Sequence, residues 1–169
     1  MAVNYLQTDD FVGTPPLNVA GDTTSRIKPG TIVNGVDFST ADFGTAEFLY
    51  VKFTGTVAAG DLCIVDRQAK TATQTGTVAT KGNLGIAMGA QTTGCFGYVM
   101  LRGVHDAANV LTGTTLQAGV GQAYVSALTA ARITSIVTAN YIIDGIAVKV
   151  SGASNVGTVE LYYPVCSGR

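Results

Sequence analysis

The sequence has few charged residues, and this shortage narrows the range of functions. Charged residues make up 12% of the chain, with ten basic residues against eleven acidic ones. Typical soluble domains carry about 25% charged residues. Proteins that bind nucleic acid gather lysine and arginine into a basic surface. No run of basic residues is present here, so we expect no binding of nucleic acid.

Long hydrophobic runs are also lacking. The apolar residues are interrupted every few positions, well short of the roughly 18 residues that a membrane helix needs. The beginning of the chain, MAVNYLQTDDFVG, has no positive segment followed by an apolar block, as a secretory signal would. We therefore expect that the protein is made in a cytoplasm and that it does not associate with a membrane.

The residues that most often build catalytic and metal sites are scarce. One histidine cannot form a His-rich metal site, and the chain lacks CxxC, HExxH and GxSxG motifs and phosphate-binding glycine loops. The acidic residues are scattered and fall mostly at expected turns, where Asp is favoured for local hydrogen bonding: Asp37, Asp42, Asp61, Asp66, Asp106 and Asp144. We expect that the chain is not an enzyme and that it binds neither a metal ion nor a cofactor. Without tryptophan, a sugar-binding or hydrolytic β-domain would need clustered acids and tyrosines in a concave site.

The cysteines and the histidine raise the question of a reactive pair. Cys63, Cys95 and Cys166 lie far apart, and we interpret them as reduced, buried thiols; a disulfide between two of them is the alternative. In GCFGYVMLRGVH, Cys95 and His105 are ten residues apart. A strand of that length spans about 33 Å, so the two cannot form a nucleophile–base pair. His105, beside Asp106, is predicted to be a turn residue.

What the sequence does contain is typical of β-structure. Hydrophobic residues make up 47%, glycines number 21, and threonine is abundant. In TAEFLYVKFTG, alternate residues on both faces are apolar, which predicts a strand that is central in a sheet or covered on both sides. The segments DLCIVD and TATQTGTVAT, separated by RQAK, predict a hairpin. We find no segment with a convincing helical period.

The first 30 residues differ from the rest. They contain Pro15, Pro16 and Pro29, and Pro-Pro forces an extended path. A loose tail is one interpretation. The apolar content favours the other, an extended arm that orders on a partner. The predicted protein-interface residues of this arm are Tyr5, Leu6, Phe11, Val12, Leu17 and Val19.

The body, residues 31–169, contains an internal repeat. LGIAMGAQTTGCFGYVML (84–101) aligns without a gap on DGIAVKVSGASNVGTVEL (144–161), and TGTVAAGDLCIV resembles TGTTLQAGVGQAYV upstream. The two copies cover about residues 54–104 and 112–165. Two blocks in the same order indicate a duplicated β-module. The predicted fold is all-β, a compact β-barrel or sandwich built from this module, preceded by the arm at 1–30.

Several blocks together resemble a known family. They are FGTAEFLYVKFTGTVAAGDLCIVD, KGNLGIAMGAQTTGCFGYVMLRGV, AYVSALTAARIT and VGTVELYYPV. These blocks are similar to those of small tailed-phage virion proteins, the capsid decoration or cement proteins. The similarity spans about residues 43–165 and leaves out the arm. Tyr98 stands where many relatives have tryptophan.

The resemblance implies a structural virion protein on the outside of an icosahedral shell. It would sit at junctions between capsomers of the major capsid protein and hold them together, as a homodimer or homotrimer. The alternative is a phage tail, collar or head-fibre β-module that binds another virion protein or a host-surface glycan.

Overall fold

The fold is all-β, as predicted. The computed structural model describes residues 5–7, 15–37, 44–76, 81–111, 123–126, 129–134, 141–150 and 155–168. In these residues there is no helix, and eleven strands are hydrogen-bonded into one continuous sheet. The strands are β1 (Tyr5–Gln7), β2 (Ile32–Asp37), β3 (Thr45–Phe53), β4 (Leu62–Asp66), β5 (Thr71–Gln74), β6 (Gly82–Ala87), β7 (Phe96–Asn109), β8 (Ala123–Val125), β9 (Ile133–Thr134), β10 (Tyr141–Val150) and β11 (Val156–Gly168).

The sheet closes on itself between β3 and β7. Strand β3 pairs with β5 in parallel, and β5, β4, β6 and β7 then pair in antiparallel succession. Strand β7 returns to pair with β3, which completes a ring of five strands. We call it the first ring. The predicted β4–β5 hairpin is part of it and is confirmed.

The strands of the first ring carry two apolar faces. On β3, alternate residues Leu49, Val51 and Phe53 belong to a buried cluster made by all five strands of the ring. Phe48 and Tyr50, on the opposite face, belong to a second and larger cluster. The prediction that this strand is covered on both sides is confirmed. Its interior face fills the ring, since a five-stranded ring leaves room for side chains only.

A second ring repeats the order of the first. Strand β7 pairs with β11, and β11, β10, β8 and β9 follow in antiparallel succession. A parallel bridge from Ile133 to Val110, at the end of β7, closes the ring. Strand β9 thus takes the place of β5, and β7 takes the place of β3. One strand, β7, is therefore the last strand of the first ring and the first strand of the second.

The aligned repeat segments occupy corresponding strands. Residues 84–101 run through β6 into β7, and residues 144–161 run through β10 into β11. The register differs by one residue: Ala87 pairs with Val99, whereas Ala147 pairs with Glu160. Each ring also includes the strand that ends just before its copy of the repeat. This strand is β3 for the copy at about 54–104 and β7 for the copy at about 112–165.

Strand β7 changes partner where it passes between the rings. Its first part pairs with β3 and β6, and from Arg102 onward it pairs with β11. Gly103 lies at this crossing with φ +115°, and a Cβ there would come within 2.6 Å of the Ala46 Cβ. Only glycine tolerates both this backbone conformation and this close approach.

The chain before the first ring packs partly on the body. Leu17 is buried in the larger cluster. The carbonyl of Val19 accepts a hydrogen bond from Gln91 Nε2 at 2.5 Å, and Gly21 N donates one to Gln91 Oε1 at 3.1 Å. A Cβ on Gly89 would lie 2.4 Å from the Val19 carbonyl oxygen. Glycine at position 89 therefore allows this part of the arm to lie against the first ring.

Candidate functional site: the tyrosine bulge

The most irregular point of the sheet lies between β10 and β11. Asp144 pairs with Val165 and Ile146 pairs with Leu161, so the single residue Gly145 lies opposite three residues of β11. Gly145 has φ +78°, and a Cβ there would lie 2.7 Å from the Tyr162 carbonyl oxygen. Extra residues on one strand make a bulge, and bulges redirect side chains beside functional sites.

We call Gly145 and residues 162–164, Tyr-Tyr-Pro, the tyrosine bulge. The alternation of buried and exposed residues fails here, because Tyr162 and Tyr163 both face solvent. Their exposed fractions are 52% and 42%, and that of nearby Val165 is 40%. Pro164 lies at the bulge, where the loss of a ladder hydrogen bond is tolerated. The insertion places two neighbouring aromatic rings on the surface.

Tyr163 is held in an unusual conformation. Its φ of +52° is rare for a bulky residue. Its hydroxyl donates a hydrogen bond to Glu47 of β3, and this bond raises the pKa of the Tyr163 hydroxyl. The Arg67 guanidinium lies 5.6 Å from its ring centroid, a cation–π contact. Backbone strain held by several contacts points to a functional position.

Ion pairs tie the bulge to its neighbours. Arg102 Nη1 lies 3.3 Å from Glu47 Oε1, so Glu47 holds both Arg102 and the Tyr163 hydroxyl. Lys149 Nζ lies 2.5 Å from Glu160 Oε2. A hydrogen bond to Glu160 raises the pKa of the Tyr162 hydroxyl. Glu47 and Glu160 thus each lie beside a cation.

A shallow cleft of about 410 Å³ adjoins the bulge. Val165 pairs with Asn83, which lines the cleft, and Arg67 reaches from the cleft over Tyr163. The cleft is therefore continuous with the exposed tyrosines. Its lining residues are Ile64, Val65, Asp66, Arg67, Gln68, Lys81, Gly82 and Asn83.

The structure describes four of the six predicted interface residues of the arm. Tyr5 and Leu6 lie in β1, which pairs with β2 of the same chain. Leu17 is buried in the chain's own core, and Val19 contacts Gln91. Phe11 and Val12 lie outside the described residues. Their role as contacts to another protein stays a prediction.

The prediction that His105 is a turn residue is wrong. His105 lies within β7, opposite Val159, and is 2% exposed. Burial lowers its pKa to about 4, and its Nδ1 accepts a hydrogen bond from Ala107 N at 3.2 Å. Asp106 beside it lies in the same strand and not in a turn. Cys95 precedes that strand, which runs for 14 residues.

The other polar groups have structural partners. The Asp61 carboxylate accepts hydrogen bonds from Ala58 N at 2.8 Å, Gln74 Nε2 at 3.0 Å and Asn109 Nδ2 at 2.8 Å. It thereby links β5 and β7 at the start of β4. The three cysteines are buried free thiols. Within the described part of the chain, no group of three or more His, Cys, Asp or Glu side chains could hold a metal ion.

No family model, curated protein or solved structure matches the chain. Across the described residues, no helix is long and apolar enough to cross a membrane.

The tyrosine bulge is not among the sites that the sequence predicts. A signal was present, because two adjacent aromatic residues followed by proline cannot continue a regular ladder with alternating faces. In the sequence, Tyr-Tyr-Pro is noted only as part of the block VGTVELYYPV. Glu47, Arg67 and Lys81, which lie far from it in sequence, carried no signal of their own.

Proposed function

We propose that this chain is a capsid decoration (cement) protein. It binds the outside of an icosahedral shell and stabilises contacts between capsomers of the major capsid protein. It acts on the capsid exterior after synthesis in the bacterial host cytoplasm, and it self-associates as a dimer or trimer. The resemblance of residues 43–165 to capsid decoration proteins supports this assignment to the outside of a capsid.

The observation that carries the proposal is the tyrosine bulge, where two aromatic side chains are exposed side by side. Tyrosine and arginine are enriched at the energetic centres of protein interfaces. Here Tyr162 and Tyr163 are exposed, while the strand that presents them is paired to β7 and β10. A fixed surface of this kind loses little conformational entropy on binding. Repeated copies on a symmetric shell would multiply a modest contact into a large stabilisation.

The test is binding to shells made from the major capsid protein of the same virus. We expect the purified chain to co-sediment with expanded shells, to saturate at a fixed ratio and to raise their resistance to heat. A reconstruction of the decorated particle should show the chain at capsomer junctions. Failure to bind at any shell stage would contradict the proposal.

The arm is tested separately. Removing residues 1–14 deletes the edge strand β1 but leaves Leu17 and the Gln91 contacts in place, so the melting temperature of the body should fall by no more than a few degrees. If the arm binds a partner, shell binding should weaken. Unchanged binding would show that the predicted interface residues Tyr5, Leu6, Phe11 and Val12 play no part.

A second candidate function is a tail, collar or head-fibre module that binds another virion protein or a host-surface glycan. The cleft favours the glycan form, because Asp66, Gln68 and Asn83 lie beside an exposed tyrosine that could stack on a sugar. Specific binding on a glycan array, together with labelling of the tail and not of the shell, would favour this candidate.

A further inference from the structure

The cleft beside the tyrosine bulge carries two exposed cations, and neither forms an ion pair with a described residue. Arg67 and Lys81 both line it. Among the described residues, the ion pairs are Arg26–Asp22, Arg102–Glu47 and Lys149–Glu160, and neither cleft cation belongs to one.

The neighbouring carboxylates are already engaged. Asp66 also lines the cleft, but its Oδ1 accepts hydrogen bonds from Gln68 N at 2.9 Å and Ala69 N at 2.8 Å. Glu47 holds Arg102 and the Tyr163 hydroxyl. Asp144, which like Lys81 lies near Cys166, accepts a hydrogen bond from Ser167 Oγ at 3.0 Å. The lining of the cleft thus carries two cations against the one carboxylate of Asp66, in a chain whose formal net charge is −1.

Apolar surface borders the same cations. The Arg67 guanidinium lies over the Tyr163 ring, and exposed Val165 pairs with Asn83 in the cleft wall. A ligand that matches this surface needs carboxylates next to an apolar side chain. Complementary charge steers such a partner and fixes its register, while the buried apolar contact supplies most of the affinity.

We propose that the tyrosine bulge and its cleft bind an acidic segment of the shell protein. The carboxylates of that segment face Arg67 and Lys81, and an apolar side chain packs on Tyr163 and Val165. This inference rests on the proposed function and names the surface and the partner chemistry that it requires.

The experiment compares two double charge reversals in shell binding. The test variant is Arg67→Glu with Lys81→Glu. The control is Lys28→Glu with Lys52→Glu, which makes the same change in net charge at two exposed positions outside the cleft. We expect the test variant to bind shells about 100-fold more weakly, and the control to stay within about threefold of the unmodified chain. Increasing salt should weaken the unmodified chain more than the test variant.

A second measurement identifies the partner directly. Carbodiimide joins a lysine amine to a carboxylate in contact with it, so Lys81 should cross-link to an Asp or Glu of the shell protein in decorated particles. The variant Tyr163→Ser removes the ring with the cations in place. It should lose shell binding about tenfold or more and keep the melting temperature within a few degrees.

Each contrary result has its own meaning. If the unmodified chain does not bind shells, the proposed function fails and this inference fails with it. If the chain binds and the test variant binds equally well, only the inference is overturned. It is also overturned if Lys81 cross-links to Asp9 or Asp10 of another copy, or if a sugar displaces the shell from the cleft.

Discussion

The two rings share a strand order but differ in how their cores are built. The first ring encloses a cluster of ten buried residues drawn from its own strands and the adjoining turn, with Phe53 among them. The buried residues of the second ring, such as Val125, Ile133 and Val159, join a cluster that also covers the outer face of the first. The first ring has a core of its own, whereas the second shares one. The two rings therefore have the same strand order, but only the first has a hydrophobic core that does not depend on the other ring.

The largest effect should come from emptying the core of the first ring. Phe53→Ala removes a fully buried ring and should lower the free energy of unfolding by about 4 kcal/mol. Because the second ring packs on the first, both should unfold in one transition, measured by calorimetry and by amide exchange.

Ile133→Ala is the matched change in the second ring, at a position that is also fully buried. It should cost about 3 kcal/mol and should loosen β8 and β9 before β3. If Phe53→Ala leaves amide protection in β10 and β11 unchanged, the two rings are independent and the comparison is wrong.

The next effect concerns the point where β7 passes between the rings. Gly103→Ala forces a side chain into a left-handed conformation and against Ala46, which should cost about 3 kcal/mol by urea denaturation. The matched control is Gly94→Ala. Its φ is +90° with open space around it, so backbone strain alone should cost about 1 kcal/mol. Equal losses would mean that the close approach to Ala46 has no energetic weight.

The histidine lies in β7, the strand that both rings share, where it pairs with Val159 of β11. Its burial makes the stability of the chain depend on pH. The His105 pKa is lowered to about 4 in the folded chain, against about 6.5 when unfolded. Between these values the unfolded chain binds more protons, so stability is complete above about pH 6.5 and falls as the pH drops towards 4. The loss between about pH 8 and about pH 5 should be about 2 kcal/mol. His105→Gln should remove this share of the pH dependence, and an unchanged slope in the variant would assign it to other groups.

The smallest effect is kinetic and compares single thiols. Burial raises the pKa values of Cys63 in the first ring and of Cys166 in β11. In the folded chain, each of these thiols should react with a thiol reagent at least about 100-fold more slowly than it does in the chain unfolded in urea, since the thiolate is the reactive form. Cys63 is 0% exposed and Cys166 is 2% exposed and near the bulge, so Cys166 should react first. The modification rate of each thiol can be measured by mass spectrometry in variants that keep only one cysteine. If Cys63 reacts before Cys166, the first ring opens more easily than the second.

Local features of this fold could be predicted, and long-range closures could not. The two apolar faces of β3 and the β4–β5 hairpin follow from alternation and turn residues, which act over a few positions. The parallel contact of β3 with β5 and the bridge from Val110 to Ile133 join residues far apart in sequence. No periodicity reports such pairings, so the choice between barrel and sandwich stayed open.

The candidate site shows the same limit. Its tyrosines are adjacent in sequence, but Glu47, Arg67 and Arg102 come to them from β3, the β4–β5 turn and β7. His105 was misjudged for the opposite reason. Its neighbour Asp106 suggested a turn locally, whereas pairing with β11 keeps the strand going to Asn109.

Because the two rings share β7, they are built from fewer strands than two separate rings would need. Two separate five-stranded rings would need ten strands, but here β3 to β11 make both with nine. Each further ring would cost four strands and would recruit the last strand of the ring before it. Strand β11, 13 residues long, is nearly the length of β7, yet the part around Cys166 turns back to β6. That return occupies the edge of β11 that corresponds to the edge of β7 on which the second ring starts.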